Sequence, residues 1–423
     1  VIKKGVSLLE TYTFENSRAW FKRAAKVIPC GIYGHFSPAP CVPVESYPFF
    51  SERAEGARFW DVDGNEFIDY MCAYGPMILG YGNAAVDEAY LKQRAAADAN
   101  TVASPRMVEL AELMVDTIPV AEWAFFAKNG ADVTNMAVMV ARSATGRKKI
   151  IAINGGYHGT SPWMQAPGHH GVVDGDHDHL IRIPWNDIPA LEAVLAEHGA
   201  DIAGFIASPY HHPIFADNEL PAPGYWEQAT ALLRKNGSVI IVDDVRAGFR
   251  LHMGGSCEHY GFKPDLIAFS KAIANGYALS ALVGVEALRV DASRVFQTGS
   301  FWFCAASFAA AIACLTELKR INGPELILGL GKQLTDGIVD SAAAHGFTMK
   351  VSGEPSMPYL RLTDDDSLML HQQWCGECTR RGAFFTSHHN WFVSAAHTEE
   401  DIRRTLEICD AAFTALKKNT ESA

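Results

Sequence analysis

Two side chains sit where packing alone explains them poorly. Asp243 closes the apolar run Val239-Ile240-Ile241-Val242, and Lys271 follows the run Leu266-Ile267-Ala268-Phe269 after a single Ser. An acid at a strand exit caps a turn, holds a metal or pairs with a cationic ring, and position alone leaves all three open. Lysines are almost never buried without a partner, so Lys271 at such an exit, followed by Ala274-Asn275-Gly276-Tyr277, points to chemistry. Two more turns belong beside them. Phe126-Ala127-Lys128-Asn129-Gly130-Ala131 opens directly onto a helical pattern; its small residues admit an anion to the backbone N–H groups, and the helix dipole favours a phosphate there. Gly155-Gly156-Tyr157-His158-Gly159 puts an aromatic at a further exit, with core packing as the competing account of Tyr157.

A phosphate cradle, a flat aromatic, a carboxylate and a Lys form one coherent set. Pyridoxal 5'-phosphate needs that combination: Lys271 for a Schiff base, and Asp243 on the pyridinium nitrogen to maintain the electron sink. The elements that must position these residues are legible as well. Short apolar runs at Lys149–Ile153, Ile202–Ala207, Val239–Val242 and Leu266–Phe269 suit strands buried on both faces. Helical patterns at Ala131–Thr145, Ile188–Glu197 and Tyr225–Lys235 alternate with them. Such alternation predicts an α/β domain with a largely parallel sheet, whose ligands gather at the carboxyl ends of the strands. After residue 304 the texture turns to long helices, Ala305–Ile321 and Glu325–Ala344, with short strands at Thr348–Val351 and Met357–Leu362 and a last helix over Glu399–Lys417. The expected division is an N-terminal segment 1–57, a large domain 58–304 and a smaller α+β domain 305–423.

Composition narrows the class. A chain of 423 residues, 48% hydrophobic and 20% charged, reads as an ordinary soluble protein. Its formal charge of −12 argues against nucleic acid, which is held chiefly through Lys and Arg. No apolar stretch approaches the ~20 residues a membrane span needs, and the polar N-terminal stretch is no secretory signal, so a cytoplasmic location is expected. Nine cysteines at irregular spacing read as reduced thiols. Trp374-Cys375-Gly376-Glu377-Cys378 has the form of a redox motif without the βαβ context that motif requires. The histidines of Gly168-His169-His170 and Asp176-His177-Asp178-His179 read as solvated loop residues, and no metal is expected.

Longer motifs carry a resemblance. Phe59-Trp60-Asp61-Val62-Asp63-Gly64-Asn65-Glu66-Phe67-Ile68-Asp69-Tyr70, the helix ending Ala141-Arg142-Ser143-Ala144-Thr145-Gly146-Arg147, and Ala396-His397-Thr398-Glu399-Glu400-Asp401-Ile402 are similar, in order, to motifs of the class III aminotransferases. Within that fold-type I superfamily of pyridoxal-phosphate enzymes the chain most resembles glutamate-1-semialdehyde aminomutase. The resemblance implies a mostly parallel seven-stranded sheet between helices. By position it makes Asn129, Gly130 and Ala131 phosphate contacts, Tyr157 the aromatic on the ring, Asp243 the pyridinium partner and Lys271 the Schiff-base residue. His158, Ser208 and Val245 join the cofactor contacts. Gly299 and Ser300 align with a Gly-Thr pair that reaches the phosphate from a neighbouring subunit, which implies a homodimer with shared active sites.

The departures concern the substrate. Where the family has Glu-Pro, this chain has Ser208-Pro209-Tyr210-His211-His212, and Asp243-Asp244-Val245 replaces Asp-Glu-Val. The stretch Pro29–Ser37 lacks the Arg that grips a substrate carboxylate in the aminomutase, which removes the strongest clamp for that group. Phe301-Trp302-Phe303-Cys304 stands where relatives carry small residues. Tyr74, His35, His212 and Trp302 are the candidates for the substrate pocket, with core packing as the alternative for the aromatics. Amino transfer between an amine or amino acid and a keto or aldehyde acceptor is the leading expectation. An aminomutase, epimerase or amine lyase stands second, and a non-catalytic cofactor-binding protein third.

Overall fold

The computed structural model describes residues 11–421 apart from Pro38 and Pro40. Two compact units divide the described residues: those of 11–83, 214–218 and 326–421 form one, and 84–213 and 219–325 the other. In chain order the first unit contributes α1 (Glu15–Ala24), β1 (Ser51–Glu55), β2 (Arg58–Asp61) and β3 (Glu66–Asp69). The second follows with α2 (Ala84–Ala96), α3 (Pro105–Thr117), β4 (Trp123–Ala127), α4 (Gly130–Thr145), β5 (Lys149–Ile153), β6 (Leu180–Ile183), α5 (Ile188–His198), β7 (Ile202–Ala207) and α6 (Tyr225–Asn236). It continues through β8 (Val239–Asp243), α7 (Ser256–Tyr260), β9 (Leu266–Phe269), β10 (Ser280–Gly284), α8 (Arg289–Arg294) and α9 (Ala305–Arg320). The chain closes with α10 (Gly323–Ala344), β11 (Met349–Ser352), β12 (Tyr359–Leu362), α11 (Met369–Thr379), β13 (Ala383–Phe384) and α12 (Glu399–Glu421).

The larger unit is built on a seven-stranded sheet in the order β4-β10-β9-β8-β7-β5-β6. Only β10 runs against its neighbours; the remaining pairs are parallel. Strands β7, β8 and β9 are buried at every residue, which is why their sequences are continuous apolar runs rather than alternating ones. Helix α4 lies on this sheet and presents Val133, Met136, Ala137, Val140 and Ala141 to it. That spacing keeps one face of the helix apolar, and the left-handed Gly146 ends it.

The units are cut at other places than residues 57 and 304. Strands β1, β2 and β3 share a four-stranded sheet with β13, so the chain up to Asn83 groups with the C-terminal part. Helix α9 buries Ala305, Ala306, Ala309 and Ala310, small side chains that let it pack on α2 and α3, and it therefore stays with the larger unit. Among the described residues no helix is long and apolar enough to cross a membrane. None of the nine cysteines is joined in a disulfide. Cys375 and Cys378 lie inside α11 with their thiols buried and pushed well above the ordinary range, burial being the chief cause.

Candidate active site

Close contacts tie together three strand exits of the larger unit, and charge links a fourth to them. At the first, Asp132 reaches back to accept the N–H groups of Asn129 at 2.8 Å and Lys128 at 3.2 Å. This fixes the first turn of α4, whose leading N–H groups have no partner within the helix. At the second, Gly159 takes φ +122°, and a Cβ there would stand 2.7 Å from the Cβ of Ala131. The glycine therefore lets the Tyr157-His158-Gly159 turn lie against the start of α4. The Thr134 hydroxyl donates to the His158 carbonyl at 2.7 Å and locks the two together. Gly130 in turn lies against Val245, whose side chain a Cβ would meet at 3.0 Å.

Asp243 ends β8 and is 6% exposed. Its Oδ2 lies 2.7 Å from His158 Nδ1, and its Oδ1 accepts the Val245 N–H at 3.1 Å. Asp244 faces elsewhere: it takes both the N–H and the hydroxyl of Ser256, at 2.8 and 2.6 Å, and so caps α7. Burial raises the Asp244 carboxyl to about 6.

Lys271 follows β9 in left-handed backbone, φ +48°, a conformation that costs a residue with a side chain and gathers at functional positions. Ser270 steadies the turn by donating to the Leu279 carbonyl at 3.1 Å. Lys271 as a whole is partly buried. Burial lowers its amine from 10.5 to about 7; the Arg246 and Arg250 guanidiniums push the same way and Asp243 opposes them. Both arginines are buried, and Arg246 donates to the His212 carbonyl at 3.3 Å. Tyr157 is half exposed; burial raises its phenol, Arg246 lowers it and Asp243 raises it. The ring thus senses the same charges as Lys271.

Lys271, Asp243, His158, Tyr157, Val245 and the Asn129-Gly130-Ala131 turn are thereby brought to one end of one sheet. Ser208 and His212 line a small cavity beside His158. Gly299 and Ser300 lie in the segment before α9, with no hydrogen bond to this group among the described residues. Trp302 packs edge-on against Phe125 of β4, ring centres 5.7 Å apart, and joins the core cluster under the sheet. Tyr74 belongs to the smaller unit, in the consecutive left-handed residues Cys72, Ala73 and Tyr74. There it lines a cavity of about 220 Å³ with Phe36, Phe49, Phe59, Tyr81 and Phe384. The His35 side chain lies outside the described residues.

The residues fit pyridoxal phosphate on structural grounds: an enclosed amine with neutral character at pH 7, a buried carboxylate with one oxygen on a His, a half-open aromatic and the open end of a helix. What the sequence reading passed over is the pair Arg246 and Arg250. Two guanidiniums in the small-residue run Val245-Arg246-Ala247-Gly248-Phe249-Arg250 were the available signal.

Residues 41–397 match the family described as Aminotransferase class-III. An aminopentol aminotransferase of Sphingopyxis macrogoltabida is 40% identical over 95% of this chain and 94% of its own length. A 3-aminobutyryl-CoA aminotransferase of Cloacimonas acidaminovorans is 32% identical over 97% of this chain and all of its own. Glutamate-1-semialdehyde aminomutases match as well, at 29 and 32%. The FumI protein of Sphingopyxis sp. MTA144, solved in its PLP internal aldimine form, superposes with a TM-score of 0.92 at 39% identity over 96% of this chain and 97% of that one.

Proposed function

We propose a substrate class and a division of labour for this chain, which belongs to the class-III aminotransferases and is a pyridoxal 5'-phosphate enzyme. Its reaction is amino-group transfer. The observation that carries the assignment of roles is the setting of Lys271, an enclosed amine between two guanidiniums and one carboxylate. Bound pyridoxal phosphate supplies an aldehyde to join an amine and an electron-poor ring to take up the charge left when a C–H proton departs. Lys271 Nζ, poised near neutrality, would take that proton from the substrate carbon and carry it for return, since a base works best with its proton affinity near the operating pH. Asp243 holds the ring nitrogen's proton, with His158 fixing the carboxylate's direction. Tyr157 would cover the ring, and Asn129, Gly130 and Ala131 would hold the phosphate at the start of α4.

The donor is an amine that carries no carboxylate beside its amino group, and the acceptor is a keto acid. The missing Arg in Pro29–Ser37 supports this, as do the aminopentol and the coenzyme A thioester named for the two relatives. A donor screen tests it: aliphatic amines and β-amino thioesters should outpace α-amino acids with pyruvate as acceptor. Faster turnover of glutamate semialdehyde without an added acceptor would replace this reading with the aminomutase one. Lys271→Ala should abolish turnover while the fold persists.

A homodimer is part of the same proposal. Phe296 and Phe301 flank Gly299 and Ser300 in the chain and are 86% and 68% exposed, apolar exposure of the kind a second subunit covers. Light scattering on the purified protein should give twice the chain mass, and Phe301→Glu should shift it toward the monomer.

A further inference from the structure

His158 uses one ring nitrogen on Asp243 and keeps the other for something else. The residue is 2% exposed, and its Nε2 is buried with no hydrogen-bond partner among the described residues. A buried ring nitrogen without a partner is costly. His158 borders a cavity of about 10 Å³, shared with Ser208, Tyr210, His211, Trp185 and Gly156. That volume is about the least that admits one water, ~10–15 Å³, and a water needs two to four polar partners. Ser208 and the imidazoles supply them. On the far side His211 stacks on Trp185, ring centres 6.2 Å apart. Its backbone is clamped in a two-residue bridge to Glu219, with N–H to carbonyl distances of 2.9 and 2.8 Å.

We propose that this cavity binds one ordered water that joins His158 Nε2 to His211 and Ser208, and that His211 is thereby a positioning residue for the Asp243–His158 pair. The inference rests on Asp243 being the partner of the cofactor's ring nitrogen. With the water donating to Nε2, His158 stays neutral, carries its proton on Nδ1 and donates it to Asp243, which keeps the full negative charge that a cationic ring nitrogen needs. With a second proton on His158, the imidazolium shares that charge and the acid's pull weakens. The water and His211 decide between these states. His211 suits the task, since burial pushes its own imidazole down, with Glu219 opposing and His158 adding to the effect. It is therefore a neutral hydrogen-bonding group at the pH where Lys271 works. The charged and titratable groups around the pair are Asp243, Tyr210 and His212 on the His158 side and Glu219 on the His211 side. Arg246 reaches the His212 carbonyl.

The test uses the full chain labelled with ¹⁵N-histidine, without and with pyridoxal phosphate, and His158→Gln to assign the signal. In the unaltered protein, His158 should show a protonated Nδ1 and an accepting Nε2 from pH 6 to 9. His211→Phe keeps a ring against Trp185 and removes the hydrogen bond. It should move the His158 Nε2 resonance toward that of an imidazole nitrogen that accepts no hydrogen bond, and shift the pH midpoint of the holoenzyme's visible absorption. His211→Gln, which retains a hydrogen-bonding end, should restore both. If His211→Phe leaves the His158 signals unmoved, or if Phe and Gln act alike, the proposal is wrong. Should His211→Phe not fold, Gly156→Ala serves, because its Cβ would stand 3.1 Å from His158 Nε2 and close the cavity; unchanged His158 signals there overturn the proposal equally. The cofactor-free spectra decide the water link by themselves, whereas a wild-type protein with no visible absorption band would instead defeat the role of Asp243.

Discussion

Replacing Lys271 by Met in the cofactor-free protein removes the one charge that the site is built to refuse. The folded and free values, about 7 and 10.5, lie about 3.5 pH units apart, which corresponds to ~5 kcal/mol against the charged amine. That figure is a ceiling, because the residue keeps some contact with solvent. The direction follows from proton binding. The folded chain holds this proton less tightly than the unfolded chain, so the penalty is complete below about pH 7 and fades as the pH rises toward 10.5. Lys271→Met should therefore be more stable than the parent at pH 6, by up to the full amount. At pH 9 only about 2 kcal/mol of the advantage should remain. Urea unfolding of both proteins across pH 6–9.5 reads the difference. A gap that stays constant with pH would mean that the amine is not disfavoured by its surroundings, and the argument for its neutral state would fail. A second reading comes from capture of pyridoxal phosphate, followed by visible absorption. About half of Lys271 is neutral at pH 7, against roughly one in 3,000 for a free Lys, so the capture rate should level off above pH 7 instead of climbing to pH 10.

Three further outcomes are expected. Gly159→Val forces a side chain into Ala131 at φ +122°, so it should lower stability by ~1–3 kcal/mol and release pyridoxal phosphate on dialysis; retention equal to the parent's would show that the two turns need not touch. Asp244 has its carboxyl raised from 3.8 to about 6 by burial, so the folded chain binds that proton more tightly and stability falls as pH rises through this interval. Asp244→Asn should flatten that part of the thermal-midpoint profile between pH 4 and 6.5, and an unchanged slope would assign it to other groups. Cys375 and Cys378 are buried with raised thiols, so an aromatic disulfide reagent should reach exposed Cys30 in the native protein and these two only after denaturation.

Strands were readable because burial on both faces leaves no polar alternation to confuse them. Val239–Asp243 and Leu266–Phe269 are apolar up to the residue that leaves the sheet, and so Asp243 and Lys271 stood out. Divisions of the chain were harder to read. The pairing of β3 with β13 joins Ile68 to Ala383 and Asp69 to Phe384, and a two-residue strand more than three hundred positions away leaves no periodic signal. Trp302 shows a related limit. An aromatic in an irregular segment has the same appearance whether its ring meets a substrate or, as here, Phe125.

The charges around Lys271 were hidden for a different reason. A buried Arg follows no spacing rule, since what permits it is the set of hydrogen-bond acceptors and opposing charges that folding gathers. Arg246 and Arg250 follow Asp243 by three and seven residues, yet their effect falls on Lys271, which follows the neighbouring strand β9. The sheet places β8 beside β9 and β7, and that adjacency converts three unremarkable segments into one electrostatic unit. Tyr210 and Asp243 favour the buried Arg246 charge, while burial, with the two guanidiniums, lowers the Lys271 amine toward neutrality. Removing Arg246 alone should therefore raise the Lys271 midpoint and slow proton transfer at pH 7, although Arg246 need touch no substrate. An Arg246→Met enzyme whose pH–rate profile matches the parent's would show that the Arg246 charge does not act on Lys271.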